Sequence, residues 1–287
     1  MVPGFRRDDG SAMAALYAVF GQPISHSLSP RIHAMFGEAL GIALEYRAIE
    51  TGRSDFRAAL DAFAKAGGRG ANVTLPLKED AFGLCEETSA RARRSGSVNT
   101  LIRQDGGWRG DSTDGAGFLR DLVLRHGFDV AGRRCLLVGA GGAARAVAFA
   151  LADAHAAEVA IVNRTAERAR ALASAIGESC RAAVVEWSAL ASENAFDLVV
   201  NATSAGHGGG ALALPRVLVA SDTVCYDLSY GSAAAPFLAW AEAAGAMRTS
   251  DGLGMLVEQA AESFAIWHGQ APDTAPVYAA LRAGFVR

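Results

Sequence analysis

The stretch CLLVGAGGAARAVAFA, Cys135 to Ala150, decides the fold. Its apolar start (Cys135, Leu136, Leu137, Val138) reads as a strand, its glycines as a tight turn, and its alanine-rich end as a helix. The spacing Gly139-x-Gly141-x-x-Ala144 matches the dinucleotide fingerprint, whose third position admits Ala. Gly139 supplies the turn, Gly141 lets the backbone approach a pyrophosphate, and Ala144 lets helix and strand pack closely. The helix start at Gly142-Ala143 offers free amides and a partial positive charge to phosphates, with Ala140 in the same loop. A glycine loop that merely joins strand to helix is the competing reading, and the flanking strand and helix weigh against it.

Outward from this stretch the chain alternates strands and helices. Glu158 to Val162 is the next strand, and the residue after it is where a ribose reader stands. An acid there would favour NAD. The chain has Asn163-Arg164-Thr165-Ala166-Glu167-Arg168 instead, so Asn163, Arg164, Thr165 and Arg168 offer donors to a 2'-phosphate and predict NADP. Thr165 could equally be a plain helix cap. Ala182 to Trp187, Asp197 to Ala202 and Thr223 to Leu228 extend a parallel sheet. Their carboxyl ends carry Asn201, Thr203, Leu228 and Tyr230 where open α/β sheets bind ligands.

Upstream, Tyr17–Gly21, Glu45–Ile49 and Gly70–Thr74 read as strands, with helices after Pro30 and over Asp55–Lys65. That pattern argues for a separate open α/β domain before the fingerprint. Ser29 is expected to cap the first helix, and Ser27 and Ser29 together could also seat a small carboxylate. Ala81 to Arg94 is expected as one helix, Ser97 to Arg103 as a strand and Gly106-Gly107 as a turn. Asp114, ahead of Phe118 and Leu122, could be no more than an N-cap. The chain closes with Asp251-Gly252-Leu253-Gly254-Met255, a helix to about His268 and a short amphipathic tail from Pro276 to Phe285. Residues 1–15 have little periodicity and read as a flexible extension.

Composition excludes several classes. A net charge of -3 over 287 residues gives no basic footprint for nucleic acid. Asp153 interrupts the best apolar run, so no membrane span is expected. Cys85, Cys135, Cys180 and Cys225 form no CxxC and read as buried reduced thiols of a cytoplasmic protein; no metal is expected. Of the 27 basic residues only Lys65 and Lys78 are lysine. Arginine holds its proton too tightly for transfer near neutrality, so a lysine kept in such a chain is a catalytic candidate. Lys65 falls in the last turn of an amphipathic helix and reads as solvated. Lys78 follows a strand and Leu75-Pro76-Leu77, and reads as functional, with a salt bridge at a domain seam as the alternative.

Taken together these runs resemble the shikimate dehydrogenase family over roughly Tyr17 to Leu281. The resemblance rests on Ser27-x-Ser29-Pro30, Asn72-Val73-Thr74-Leu75-Pro76-x-Lys78, Val98-Asn99-Thr100, Thr113-Asp114-Gly115, the glycine fingerprint, Asn163-Arg164-Thr165, Asn201-Ala202-Thr203-Ser204 and Asp251-Gly252-Leu253-Gly254-Met255. It implies an α/β fold with an N-terminal open α/β substrate domain (16–113, completed by 251–287), an inserted Rossmann NADP-binding domain (114–250) and a cleft between them. It implies reduction of 3-dehydroshikimate to shikimate with NADPH, toward aromatic amino acids, by a monomer or homodimer. Lys78 and Asp114 would be the catalytic pair. Ser27 and Ser29 would hold the substrate carboxylate, with Tyr230 closing over that side, and Thr74, Asn99, Asp114 and Gln259 would bond the ring hydroxyls. Gly139, Ala140, Gly141, Gly142, Ala143, Asn163, Arg164, Thr165, Arg168, Asn201, Thr203, Leu228, Gly252 and Met255 would hold the cofactor. A relative that also takes quinate or an aminated analogue, with NAD acceptable, remains open, as does a metabolite sensor on the same scaffold. The extension is longer than the resemblance requires, and Ser229 stands where relatives often carry a bulkier residue.

Overall fold

The computed structural model describes residues 14–208, 210 and 212–285. The chain runs β1 (Ala15–Gly21), α1 (Ser29–Leu40), β2 (Leu44–Glu50), α2 (Phe56–Lys65), β3 (Gly68–Val73), α3 (Lys78–Leu84), β4 (Glu87–Thr88), α4 (Ala90–Ser95), β5 (Thr100–Gln104) and β6 (Gly107–Asp111). Then come α5 (Asp114–His126), β7 (Arg134–Val138), α6 (Gly142–Asp153), β8 (Glu158–Val162), α7 (Ala166–Ile176), β9 (Arg181–Val184), β10 (Leu198–Asn201) and β11 (Val224–Asp227). The last elements are α8 (Ala235–Ala244), β12 (Arg248–Ser250), α9 (Leu253–His268) and α10 (Ala275–Arg282).

Two sheets result. The first has the order β2-β1-β3-β5-β6-β4, with β1, β2 and β3 parallel and the β5–β6 hairpin joined to β3 through an antiparallel β5. The second, β12-β11-β10-β7-β8-β9, is parallel throughout. Its central strands are apolar on both sides because both faces are covered. Cys135 and Leu137 of β7 pack with Val147 and Leu151 of α6, while Leu136 and Val138 point to the other face with Leu190, Phe237 and Ala241. In the first sheet Leu16, Ala18 and Phe20 meet Phe56, Leu60 and Phe63 of α2. On the opposite side, Ile32 and Phe36 of α1 join Leu253, Val257 and Phe264 of α9.

Helices α5 and α9 tie the sheets together. Phe118 and Leu122 of α5 and Met255 of α9 enter the core of the second sheet, while the rest of α9 packs on α1. Asp121 of α5, nearly fully buried, accepts from the Tyr226 hydroxyl of β11 at 2.6 Å and from Arg125 at 2.9 Å. Arg125 also pairs with the buried Glu258 of α9 at 2.8 Å. A buried carboxylate needs such partners to stay charged.

Several expectations are corrected. Ala81 to Arg94 is not one helix. The backbone of Glu86 and Ser89 donates to Trp108 and Gly110 of β6, which converts the middle into the edge strand β4. Ser89 then accepts from the Ala92 amide at 3.2 Å and caps α4. The turn expected at Gly106-Gly107 lies at Asp105-Gly106, and Gly107 already opens β6. Residue 29 does not cap α1: the helix begins at Ser29 with no side-chain cap, and the Ser29 hydroxyl turns to Tyr46. Asp114 is likewise inside α5 rather than its cap, with Thr113 before it. Among the cysteines, all free, Cys135 and Cys225 are buried, but Cys85 and Cys180 are only partly so. Ala15, placed in the extension, opens β1; residues 1–13 lie outside the described residues. No described helix is long and apolar enough to cross a membrane.

The α5–α9 crossing is close enough to need glycine. A methyl group on Gly117 would lie 2.6 Å from the backbone nitrogen of Gln259. Gly117→Ala is expected to cost about 1–3 kcal/mol through overpacking. Thermal unfolding should then show Tm lower by several degrees; an unchanged Tm would mean the helices can part freely.

Candidate active site

Lys78, first in α3, and Asp114, first in α5, meet with Nζ 2.5 Å from Oδ2. Both side chains are almost wholly buried, so each charge depends on the other. Asp114 Oδ1 accepts from Asn99 Nδ2 at 2.9 Å. That amide also lies 2.8 Å from Thr113 Oγ1 and 3.1 Å from Gln259 Oε1, while Asn99 Oδ1 accepts from the Thr113 backbone at 2.8 Å. Two amide protons are thus shared among three acceptors, which fixes Asn99 and with it the aspartate.

The network continues away from the lysine. Ser263, one turn beyond Gln259 on α9, lies 2.8 Å from Thr100 Oγ1 and accepts from Asn72 Nδ2 at 3.0 Å. Asn72 Oδ1 accepts from the Tyr46 hydroxyl at 2.7 Å, and Tyr46 also bonds Ser29. Ser27 accepts from the Ser29 amide at 3.3 Å, and Tyr230 takes a hydrogen bond from the backbone of Leu28. Ser27, Ser29 and Tyr230 therefore stand together at the start of α1. Tyr46, beside Ser29, is joined to Lys78 and Asp114 by an unbroken run of side-chain bonds. Burial pushes the Tyr230 phenol above its ordinary pKa, with the Leu28 amide acting in the other direction. Thr74 follows β3 beside Gly21, bonded through its amide to Phe20.

Tyr46, Asn72, Thr100, Thr113 and Ser263 are missing from the sequence reading of the site. Their signals were present: Asn72 shares a strand face with Thr74 two residues on, and Ser263 shares a helix face with Gln259 four residues back.

The glycine loop reaches the same place from the other sheet. Gly139 has φ +119, and a methyl there would lie 2.9 Å from Ala202 O, which puts the loop at the switch point between β7 and β10. Nothing lies within 4 Å of a methyl at Gly141, and α6 starts without a side-chain cap, so its first amides are free. A methyl on Gly142 would lie 2.8 Å from Ser97 Oγ and 3.2 Å from Lys78 Cβ. Asn163 Nδ2 donates to Thr165 O at 2.9 Å beyond β8, with Arg164 and Arg168 exposed next to it. Arg168 lies 3.6 Å from Glu79 across a cleft of about 350 Å³ that also touches Ala140 and Arg145. These features fit a phosphorylated dinucleotide: open amides for the pyrophosphate and, with no carboxylate at position 163, cations for a further phosphate. Asn201 is committed to Asp227 at 2.7 Å and to Thr203 at 2.8 Å, fastening β10 to β11 under the loop. Gly252 packs on the Leu228 carbonyl, with Met255 one turn along α9. Among the described residues no group of three or more His, Cys, Asp or Glu side chains could hold a metal ion.

The chain is similar to known proteins along most of its length. Residues 19–101 match the family model for the shikimate dehydrogenase substrate binding domain, 121–208 that for shikimate / quinate 5-dehydrogenase, and 252–282 that for the shikimate 5'-dehydrogenase C-terminal domain. Shikimate dehydrogenase (NADP(+)) of Xylella fastidiosa (strain M12) is 56% identical over 271 residues, 94% of this chain and 96% of that protein. The chain belongs to the shikimate dehydrogenase family. An Ael1 enzyme from Pseudomonas putida superposes with TM-score 0.86 at 41% identity, covering 93% of this chain and 98% of that one. Shikimate 5-dehydrogenase from Thermus thermophilus, in complex with NADP(H) and shikimate, superposes with TM-score 0.80 at 37% identity, covering 94% and 99%.

Behind the serines lies a histidine with a consequence for acid stability. His33 is 1% exposed, stacks on Tyr46 at 4.3 Å, and burial lowers its pKa from 6.5 to about 3. Folding therefore excludes a proton that the unfolded chain binds below about pH 6.5. The contribution is complete above that pH and is lost as pH falls toward 3, by up to about 1.4 kcal/mol per pH unit. Chemical unfolding of a His33→Phe variant across pH 7 to 4 should show a flatter decline than the parent chain; parallel declines would remove His33 as a source of acid lability.

Proposed function

We propose that the chain interconverts 3-dehydroshikimate and shikimate with NADP(H), using Lys78 and Asp114 as its proton-transfer pair. The observation that carries the assignment is the buried Lys78–Asp114 contact at 2.5 Å, joined through Asn99 to Gln259 and bordered by the glycine loop at Gly142. Family membership supports the substrate class, and the geometry supports the roles.

Reducing a ketone requires hydride on carbon and a proton on oxygen. NADPH, when bound, supplies the hydride. Lys78 Nζ delivers the proton to the substrate oxygen, and in the reverse direction receives it from the hydroxyl. Asp114 holds the ammonium in place with Oδ2, while Asn99 stops the carboxylate from turning. Ser27, Ser29 and Tyr230 receive the carboxylate, and Thr74, Asn99, Asp114 and Gln259 receive the ring hydroxyls. A fixed array of this kind disfavours a ligand that leaves one of its members unpaired. On the other side Ala140, Gly141, Gly142 and Ala143 would present amides to the pyrophosphate, over the turn made by Gly139, whose own amide is held by the Val162 carbonyl at 2.8 Å. Asn163, Arg164, Thr165 and Arg168 receive the adenosine 2'-phosphate, and Asn201, Thr203, Leu228, Gly252 and Met255 border the nicotinamide end. We assign 16–113 with 251–287 to the substrate domain and 114–250 to the cofactor domain. A cytoplasmic, monomeric or homodimeric enzyme agrees with four free cysteines and a modest net charge.

Initial rates with shikimate or quinate crossed against NADP or NAD test this reading. Shikimate with NADP should be fastest, and Lys78→Met and Asp114→Asn should each lower kcat by roughly 10²–10⁴ while the chain stays folded by circular dichroism. Faster turnover of quinate with NAD would overturn the specificity, and binding without turnover would replace the enzyme with a sensor. Asn163→Asp puts a carboxylate where the 2'-phosphate is received. The ratio of kcat/KM for NADP over NAD should then fall by about tenfold or more; an unchanged ratio would place the 2'-phosphate elsewhere.

A further inference from the structure

A second cavity, of about 470 Å³, opens at the other end of the first sheet. Its wall includes Tyr17 near the start of β1, Gly68 and Arg69 at the start of β3, Ile102 and Arg103 in β5, and Trp267 in the last turn of α9. The run of chain from Gly68 to Thr74 puts about 20 Å between this cavity and the catalytic end of the sheet. The two share no lining residue.

Its chemistry is specific. Arg69 and Arg103 are among its lining residues, and no Asp or Glu is. Arg103 is braced, donating to Gly107 O at 2.8 Å with its guanidinium 5.3 Å above the Trp108 ring. Arg69 makes no ion pair with any described residue. Tyr17 is only 4% exposed, yet among the described residues its hydroxyl has no hydrogen-bond partner, and its oxygen is not sealed from solvent. The ring of Tyr17 is therefore packed while its hydroxyl stays free to meet a ligand in the cavity. Burial raises the Tyr17 pKa while the charge of Arg69 acts to lower it, so the phenol and the guanidinium share one environment. The ring of Tyr17 stacks on Trp267 with centroids 4.8 Å apart, and the indole is held by its Nε1 donating to Leu101 O at 3.1 Å. Gly70 is what lets the indole lie against the strand: a methyl there would be 2.5 Å from Trp267 Nε1.

We propose that this cavity is a binding site for a small aromatic carboxylate. The carboxylate pairs with Arg69 and takes the Tyr17 hydroxyl as a further donor, and the ring lies along the fixed Trp267 edge of the cavity. Arg103 adds a second positive charge. The site is separate from the reaction assigned above and needs neither substrate nor cofactor.

Phenylacetate tests it by isothermal titration calorimetry against the full chain held in its dead-end complex with shikimate and NADPH, so that the catalytic cleft is filled. One molecule per chain should bind with a dissociation constant below about 1 mM. The neutral phenylacetamide and the saturated cyclohexylacetate should each bind at least about tenfold more weakly. Arg69→Gln should weaken phenylacetate by about tenfold or more, and Tyr17→Phe by several-fold, with shikimate turnover unaltered in both. Absence of saturable heat overturns the proposal, as does equal binding of phenylacetamide or cyclohexylacetate, or full binding by Arg69→Gln. Repeating the titration on the ligand-free chain separates the two sites: a second binding event that shikimate abolishes belongs to the catalytic cleft and leaves the result at the remote cavity unchanged.

Discussion

Taking an ammonium and a carboxylate out of water costs several kcal/mol for each ion, and the interior accepts both only when they meet in good geometry. The Lys78–Asp114 pair meets that condition, and much of the surrounding structure is arranged to satisfy it. Lys78 is held at the start of α3 with its carbonyl accepting from Val98, and Asp114 at the start of α5 beside Asn99. Removing either partner would leave the other charge buried and unmatched. The pair is therefore a constraint on the fold as well as a candidate for chemistry. It links the end of the first sheet to the helix that carries the chain toward the second.

That link explains why the neighbouring polar residues are buried at all. Asn72, Asn99, Thr100, Thr113, Gln259 and Ser263 are each under 10% exposed and each is bonded. A polar network in a low-dielectric interior resists distortion when every member has a partner. Here it runs from Tyr46, beside Ser29, to Lys78, so the two ends of the proposed substrate site are set at a fixed separation before any ligand arrives. Preorganisation of that kind is what an enzyme needs to favour one polyhydroxylated acid over another.

Much of this was legible in the sequence, for physical reasons that also mark where legibility stopped. The fingerprint could be read because a glycine turn between an apolar run and a small-residue helix leaves few alternatives. The β7-α6-β8 unit has the form expected, with β8 at Glu158–Val162. Lys78 could be read because lysine is rare in this chain. The segment after it could not. Ala81–Arg94 has helical composition throughout, but the exposed edge of the β5–β6 hairpin recruits residues 86–89 and breaks it in two. Strand β4 has two residues and no pattern of its own, so its existence depends on a partner that sequence does not show. The Ser29 cap failed as well. A serine before Pro30 is a good capping signal, but Ser29 is itself the first residue of α1, and its side chain makes no cap bond.

The bias toward arginine has a structural meaning at the seam between the sheets. Arg94 of α4 grips Asp153 of α6 with two contacts of 2.7 and 2.8 Å, Arg145 of α6 donates back to the Ser95 carbonyl, and Arg168 faces Glu79. Arginine suits such contacts: it carries several donors on one group, and it stays protonated whatever its surroundings. The same permanence disqualifies it for the role proposed for position 78, where the charge must be able to leave with a proton. The seam therefore uses arginine where a cation has to remain and lysine at the one buried position where it has to be able to depart. A single type of basic residue could not serve both ends of this cleft.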